Sequence, residues 1–465
     1  MSEYRHVLEI GGAGIAVITL RAPAVEPGDT AEPADGRYFE PAWAAFESST
    51  IATGRAAAAR ARLAPLFVSS RHLETPSTAP LPRPGPAARS SADLVYAQLA
   101  AIAASERLAG APVLLAVSSA YSLEELQLLL GIAAAARLEV AGVVDAAVAA
   151  TAALPSLARA LYLDLEMQRA LLVELVRGAD LRRGRVDVSR AVGLRAYEDA
   201  FAQLIARALV AATRFDPLHQ APTEQLLYDQ LAGWVAGAAA AADGAAPVVI
   251  EYGGLRHEAR LTAAQLEAAA APLTAELVRL VHSARRAGEA VTLYLTARVA
   301  GLPGLAAALA QLRDCEVVVL PPGAAGAGAL THAAAIAAGE LALVSRVEAG
   351  AALLRAATPR AAQERGAAPT HVVYQGRAQA LTAEPLLVGR EPGARRALIV
   401  GGAIAGVSRS HCSLVARGGE TVLEDHSRHG TFLNGERVQR RARLAAGDRI
   451  RLGTPGVELE LVRIE

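Results

Sequence analysis

Lysine is missing from all 465 residues, so the 46 basic side chains are arginines without exception. A P-loop NTPase needs a lysine on the phosphates of its nucleotide, and that class is excluded. Schiff-base and other lysine-dependent covalent chemistry goes with it. Cysteine is almost as scarce. Cys315 and Cys412 lie far apart, lack metal-type spacing and sit in apolar strand-like runs, which reads as two buried thiols. Aromatic residues make up only 4% of a chain that is 53% hydrophobic, so alanine, leucine and valine must build the cores. Neither sign of charge dominates. With 46 basic and 46 acidic residues the formal net charge is zero, and no global pull towards nucleic acid or anionic lipid results. No run of about 18 residues is apolar enough to span a bilayer. Residues 1–6 are polar and lead into a strand, unlike a signal peptide. The expectation is a soluble, cytoplasmic protein of more than one domain, with no nucleic-acid partner and no membrane span.

What the chain does have is alternation. Residues 7–20 read as two strands around Gly11-Gly12-Ala13-Gly14, a hairpin signal. Residues 22–91, rich in proline, alanine and serine, read as loops and irregular cover with one short helix. Next come a helix over 92–108, a strand over 113–117 and a helix over 122–136 that Ser122 and Glu125 would cap. Strand 140–144, helix 146–154 and two strands within 159–175 continue a pattern typical of an α/β domain. Helices at 197–212 and 222–240 precede a hairpin over 247–260 turning at Gly253-Gly254, and a long helix starts at Thr262. Strand 291–295, helix 304–312, strand 316–320 and helix 331–341 close this part. Residues 346–369 read as an arginine- and alanine-rich linker, and 370–465 as short alternating strands with glycine breaks, the pattern of a β-sandwich.

The sandwich segment carries the most specific residues. Gly389-Arg390 is followed by Ser408-Arg409-Ser410-His411, then by Asp425-His426-Ser427-Arg428-His429-Gly430-Thr431-Phe432-Leu433-Asn434-Gly435. That order resembles a forkhead-associated (FHA) domain, a reader of phosphothreonine in partner proteins. A phosphothreonine brings about −1.5 to −2 charges and three acceptor oxygens, so its reader needs guanidinium and hydroxyl donors on a rigid support. The resemblance implies that Arg390 is the fork, Ser408 the hydroxyl and backbone donor, and Arg428 a second positive group. Arg409, His429 and Asn434 complete the implied phosphopeptide-binding set. Gly389, His411, Gly430, Thr431 and Gly435 are implied to be structural, with His411 bracing the loops from beneath. Gly447-Asp448-Arg449-Ile450-Arg451-Leu452-Gly453 resembles the family's closing strand. One position departs: the family usually has asparagine before Gly430-Thr431, and here it is His429. An imidazole cannot donate and accept as an amide does, so peptide register would be loosened or binding made sensitive to pH.

Residues 1–345 are similar in element order to the actin-like ATPase clan, nearest the DnaK-type chaperone nucleotide-binding domain. Residues 113–121 with the following helix and Leu138-Glu139-Val140, residues 160–176, residues 260–267, and residues 293–305 including Pro303 carry the resemblance. The chemistry of that family is mostly missing. Its first phosphate hairpin reads Asp-x-Gly-Thr-Thr, because small residues and hydroxyls let the backbone meet phosphate. Here the hairpin is Glu9-Ile10-Gly11-Gly12-Ala13. The second should read Asp-x-Gly-Gly-Gly-Thr and is instead Asp164-Leu165-Glu166-Met167-Gln168-Arg169. The adenosine-side Gly-Gly is replaced by Ala297-Arg298, and Asp145-Ala146-Ala147-Val148 stands where an acid polarises water. The family's catalytic lysine cannot exist here, and the Arg71-His72 region falls near its place.

The fold expected from these resemblances is a two-lobed α/β actin-like ATPase domain followed by an all-β FHA sandwich. Two functions of different class follow. One is a non-enzymatic adaptor with no cofactor, whose FHA segment captures a threonine-phosphorylated protein while the large domain docks a second protein. The other is a divergent, chaperone-like ATPase in which Glu9 and Asp164 hold magnesium and ATP. A third reading makes both domains structural and the FHA surface a reader of unphosphorylated protein.

Overall fold

A computed structural model of the chain describes residues 4–20, 35–241, 244–286, 289–339, 341–348, 368–374, 377–400, 406–453 and 456–463. The linker expected at 346–369 lies, apart from its ends, outside the described residues. The described residues fall into two compact units. One is drawn from Met1–Leu277, Thr292–Leu312 and Glu316–Arg355, the other from Val278–Val291, Arg313–Cys315 and Ala356–Glu465.

The first unit is mixed α/β and holds two six-stranded sheets that share the order of five of their strands. In one sheet β1 (His6–Gly11), β2 (Gly14–Leu20) and β3 (Asp35–Pro41) form an antiparallel meander. On the far side of β1 lies β4 (Pro112–Val117), parallel to it, and then β5 (Glu139–Asp145), parallel to β4. The other sheet repeats the order with β6 (Arg159–Leu165), β7 (Ala170–Arg177) and β8 (Asp180–Ser189) as the meander. There β9 (Val291–Leu295) runs parallel to β6, and β10 (Cys315–Val319) lies beyond it. The stretch 343–348 reaches both sheets: Leu343–Val344 pairs with β5 and Arg346–Glu348 with β8.

Local sequence explains much of this. A strand covered on both faces needs a continuous apolar run, and β4 is PVLLAV with its last five residues buried. The helix Leu123–Ala135 starts at a complete capping box in which Ser122 and Glu125 satisfy each other's backbone N–H. Ser90 and Asp93 make a second box at the helix Ser91–Ser105. The hairpin Ala246–Tyr252 with Leu255–Leu261 turns at Gly253 and Gly254, whose φ of 61° and 76° is the left-handed pair a two-residue turn requires.

Three expectations are corrected. Residues 22–91 are not all loop, because 35–41 forms β3 against β2, and short strands pair at Ala44–Ala45, Ala52–Thr53 and Val68–Ser69. The helix expected at 331–341 begins earlier and is broken, as Ala324–Thr331 and Ala333–Ala337. Cys315 is only half-buried, because its strand lies at a sheet edge.

The C-terminal unit contains two antiparallel-dominated sheets that share one core. The first runs Arg377–Ala380, His371–Tyr374, Val457–Val462, Arg449–Leu452, Thr431–Leu433, Glu436–Arg437. The second runs Ala397–Ile399, Leu386–Gly389, Cys412–Arg417, Glu420–Asp425, Arg441–Leu444. Val372, Ile450 and Leu461 from the first meet Leu386, Leu414 and Leu423 from the second in one buried cluster. Charged residues alternate with apolar ones on some strands, as in the exposed–buried patterns of Arg441–Leu444 and Arg449–Leu452. Cys412 belongs to this core, and burial pushes its thiol well above the ordinary range. Among the described residues no helix is long and apolar enough to cross a membrane.

Candidate functional site

The loops at one end of the sandwich collect the expected phosphate-reading residues. Gly389 ends the strand Leu386–Gly389, where Arg390 N donates to Ser408 O at 3.1 Å and Glu391 N to Arg409 O at 3.0 Å. A Cβ on Gly389 would collide with the Arg409 carbonyl oxygen, so only glycine lets the two loops run this close. Arg428 N in turn donates to Ser408 Oγ at 3.3 Å. Arg390, Ser408 and Arg428 are thereby tied together through their backbones and one hydroxyl.

His411 lies beneath them and is fully buried. Its Nδ1 accepts from Ser408 N at 3.0 Å, which leaves Nε2 as the donor to Gly430 O at 3.2 Å. The ring is therefore neutral and holds the Ser408 loop against the Gly430 turn. Burial lowers its pKa below the ordinary value. The bond to Gly430 and the charge of Asp425 partly oppose this, while His429 adds to it. Gly430 has a φ of 86°, and its carbonyl also accepts from Gly453 N at 3.0 Å.

Asp425 organises the remaining loop. Its Oδ1 accepts from Ser427 N at 3.0 Å and from Thr431 Oγ1 at 2.6 Å, and Thr431 is fully buried. His426 N donates to His411 O at 2.9 Å, and its Nε2 lies 2.9 Å from Ser413 Oγ. Sequence reasoning gave neither Asp425 nor His426 a role, and only the register of Cys412 opposite Asp425 brings them under the loops. Asn434, expected to face peptide, has its amide taken up inside the domain. Nδ2 donates to Asp448 Oδ1 at 2.8 Å and Oδ1 accepts from Arg449 N at 2.8 Å, holding a turn at φ 51°. Gly435 follows it in the same turn with a φ of 88°.

What faces outward is cationic. Arg390, Arg409, Arg428 and His429 are all exposed, and no described acidic side chain pairs with any of the three arginines. Three exposed guanidiniums on the loops that hold the Ser408 hydroxyl are donors of the kind that an anion with several acceptor oxygens can engage.

The expected nucleotide cleft looks different. Gly12 and Ala13 form the β1–β2 turn, closed by the Gly11–Gly14 pair, and Gly12 N donates to Glu166 Oε1 at 3.0 Å. Ser118 Oγ donates to the same oxygen at 2.7 Å, and Arg169 pairs with Oε2. The Glu166 side chain, 1% exposed, thus takes the hydrogen-bond donors of the turn for itself. Glu74 closes over it from the 70–74 segment. Its Oε1 accepts from Gln168 N at 2.6 Å, and burial pushes its carboxyl up to about 7, with the backbone bond and Arg169 pulling back and Glu166 adding. A Cβ on Gly12 would meet Glu166 Oε2 at 2.6 Å. Nothing local in the sequence marked Glu74 for this place.

Asp164 accepts from Thr296 Oγ1 at 2.7 Å, and Arg298 Nε lies 3.3 Å from the same carboxylate. Glu9 has a single long contact from Gly326 N at 3.4 Å, and burial raises its pKa despite the attraction of Arg298. Asp145 is buried at the start of the helix Ala146–Thr151. There it accepts from Ala147 N and Val148 N, from Ser119 Oγ at 2.9 Å and from Arg183 Nη1 at 2.9 Å. His72, near the missing lysine's expected place, is buried with Nε2 at 2.7 Å from Gln98 Oε1. Among the described residues no group of three or more His, Cys, Asp or Glu side chains is placed to hold a metal ion.

The sandwich and its loop end define a protein-binding module. A family model described as the FHA domain matches residues 386–453, which lie wholly in the C-terminal unit. No curated protein matches the chain.

Proposed function

We propose that the chain is a non-enzymatic, phosphothreonine-dependent adaptor. Its N-terminal unit would be an actin-like, DnaK-type fold that has lost nucleotide turnover and serves as a second docking surface. The observation that carries the reading is a contrast in hydrogen-bond donors. At the sandwich loops Arg390, Arg409 and Arg428 have no described acidic partner, while at the β1–β2 turn Glu166 already holds Gly12 N–H and Ser118 Oγ. A phosphate offered to the first place meets free donors, and one offered to the second meets a carboxylate. The matched FHA segment supports the first half of the proposal. Two sheets that share the order of five strands, each a meander with a parallel strand added beside its first strand, support the second. Asp164 already engages Thr296 and Arg298, so it is poorly placed as a magnesium ligand.

The guanidinium of Arg390 contributes a charge-assisted bond of roughly 1.5–3 kcal/mol, or about 10–150-fold in affinity. Fluorescence anisotropy of the full chain with a pool of phosphothreonine peptides tests this. Binding should vanish for the unphosphorylated pool and fall by that factor in Arg390→Ala and again in Ser408→Ala. Equal binding of both pools would defeat the proposal.

A further inference from the structure

The first unit contains a cavity of about 390 Å³ that the reading above leaves without a role. Its body is apolar and partly aromatic, walled by Tyr38, Phe39 and Trp43 on one side and by Leu320, Pro321 and Pro322 on the other. That volume lies within the range of small-ligand sites and suits a one- or two-ring molecule. One end is polar, where Glu9 and Arg298 line the wall and Asp164 stands behind Arg298.

The charge count at that end decides what fits. Two carboxyl groups, Asp164 and Glu9, stand at that end beside the one guanidinium of Arg298, which lies against Asp164 at 3.3 Å. Asp164 is well satisfied, by Thr296 Oγ1 at 2.7 Å and Leu165 N at 2.8 Å as well as by Arg298. Glu9 is not. Among the described residues its Oε2 receives only the 3.4 Å contact from Gly326 N, and no hydrogen bond reaches Oε1. Glu9 is half-buried and lines the cavity, so its carboxyl group offers open acceptor sites to a donor that enters there. Glu198, the other acid of the wall, is already paired with Arg195 at 3.0 Å, so the demand is concentrated at Glu9.

We propose that this cavity binds a small aromatic amine, with its ring against Tyr38, Phe39, Trp43 and Pro321 and its ammonium group on Glu9. An anionic molecule of the same shape would meet the carboxyl groups of Glu9 and Asp164 and bind less well. A nucleoside triphosphate would in addition find Gly12 N–H occupied by Glu166. The inference concerns the N-terminal unit only and stands whether or not the sandwich loops read phosphothreonine.

The test uses three molecules of one shape on the full chain: phenethylamine, 2-phenylethanol and 3-phenylpropanoate. Ligand-observed NMR titrations should rank them amine, alcohol, acid, with the amine about tenfold or more tighter than the alcohol, as one charge-assisted bond gives. Glu9→Gln should bring the amine down to the level of the alcohol. Ala297→Phe, which fills the cavity, should abolish binding of both. The wild-type ranking is decisive by itself should either variant fail to fold. The proposal is overturned by no binding of any of the three, by an acid that binds as well as the amine, or by a folded Glu9→Gln variant that keeps the preference.

Discussion

Replacing His411 by phenylalanine isolates the brace beneath the cationic loops. The ring keeps its place in the core, and both of its hydrogen bonds go. Gly430 O retains Gly453 N–H at 3.0 Å, so only the Ser408 N–H is left without a partner. One orphaned donor and one lost net bond together come to roughly 2–3 kcal/mol. The loss is local, so it is read best by hydrogen exchange in the full chain. The Ser408 amide should exchange roughly 30–150 times faster, and the Arg428 amide, bonded to Ser408 Oγ, should follow it. Strand amides such as those of Leu414 and Leu423 should change far less. Acid should reproduce the effect in the wild-type chain. Because burial lowers the His411 pKa below 6.5, the unfolded chain binds the proton more readily than the folded one. The brace is therefore fully present above pH 6.5 and weakens as pH falls from there through the folded pKa. Unchanged protection at Ser408 in His411→Phe would refute the reasoning.

Three further outcomes follow from the same geometry. Gly389→Ala forces its Cβ onto the Arg409 carbonyl, so the melting transition of the C-terminal unit should fall by an amount equal to about 1–3 kcal/mol of overpacking, read by calorimetry. Glu74→Gln should stabilise the N-terminal unit at about pH 8 by up to about 3 kcal/mol, because a carboxyl raised to about 7 costs stability as pH climbs from 4.5 through 7. Below pH 4.5 the two proteins should melt together, and a gain that persists there would contradict the burial argument. Glu166→Ala strips the buried partner from Arg169, which is 5% exposed, and should cost about 3–5 kcal/mol in urea denaturation.

The parts of the fold that local rules write were legible. Ser122 with Glu125 and the Gly253-Gly254 turn act over a few residues, and the structure has both. The strand Asp35–Pro41 was missed because DGRYFEP has no apolar alternation, and it is a strand only by pairing along the whole of β2. The strand Asp180–Ser189, with three arginines and two aspartates, was missed for the same reason and is held by β7. At the sandwich loops Arg390 follows the end of one strand and His411 precedes the next, and Ser408, in the loop between, meets both through hydrogen bonds. The use of Asn434 was not legible, because its partners Asp448 and Arg449 arrive from a different strand. Glu166 was foreseen as an added charge in the cleft, but Glu74 was not, since the pair lie 92 positions apart in the chain.

The account rests on where a phosphate goes. A crystal structure of the full chain with a bound phosphothreonine peptide tests it most directly. The phosphate should lie within hydrogen-bond distance of the Arg390 guanidinium and Ser408 Oγ, with Glu166 still on Gly12 N–H in the other unit. A peptide whose phosphate points into solvent, or a phosphate seated at Gly12 with Glu166 displaced, would contradict it.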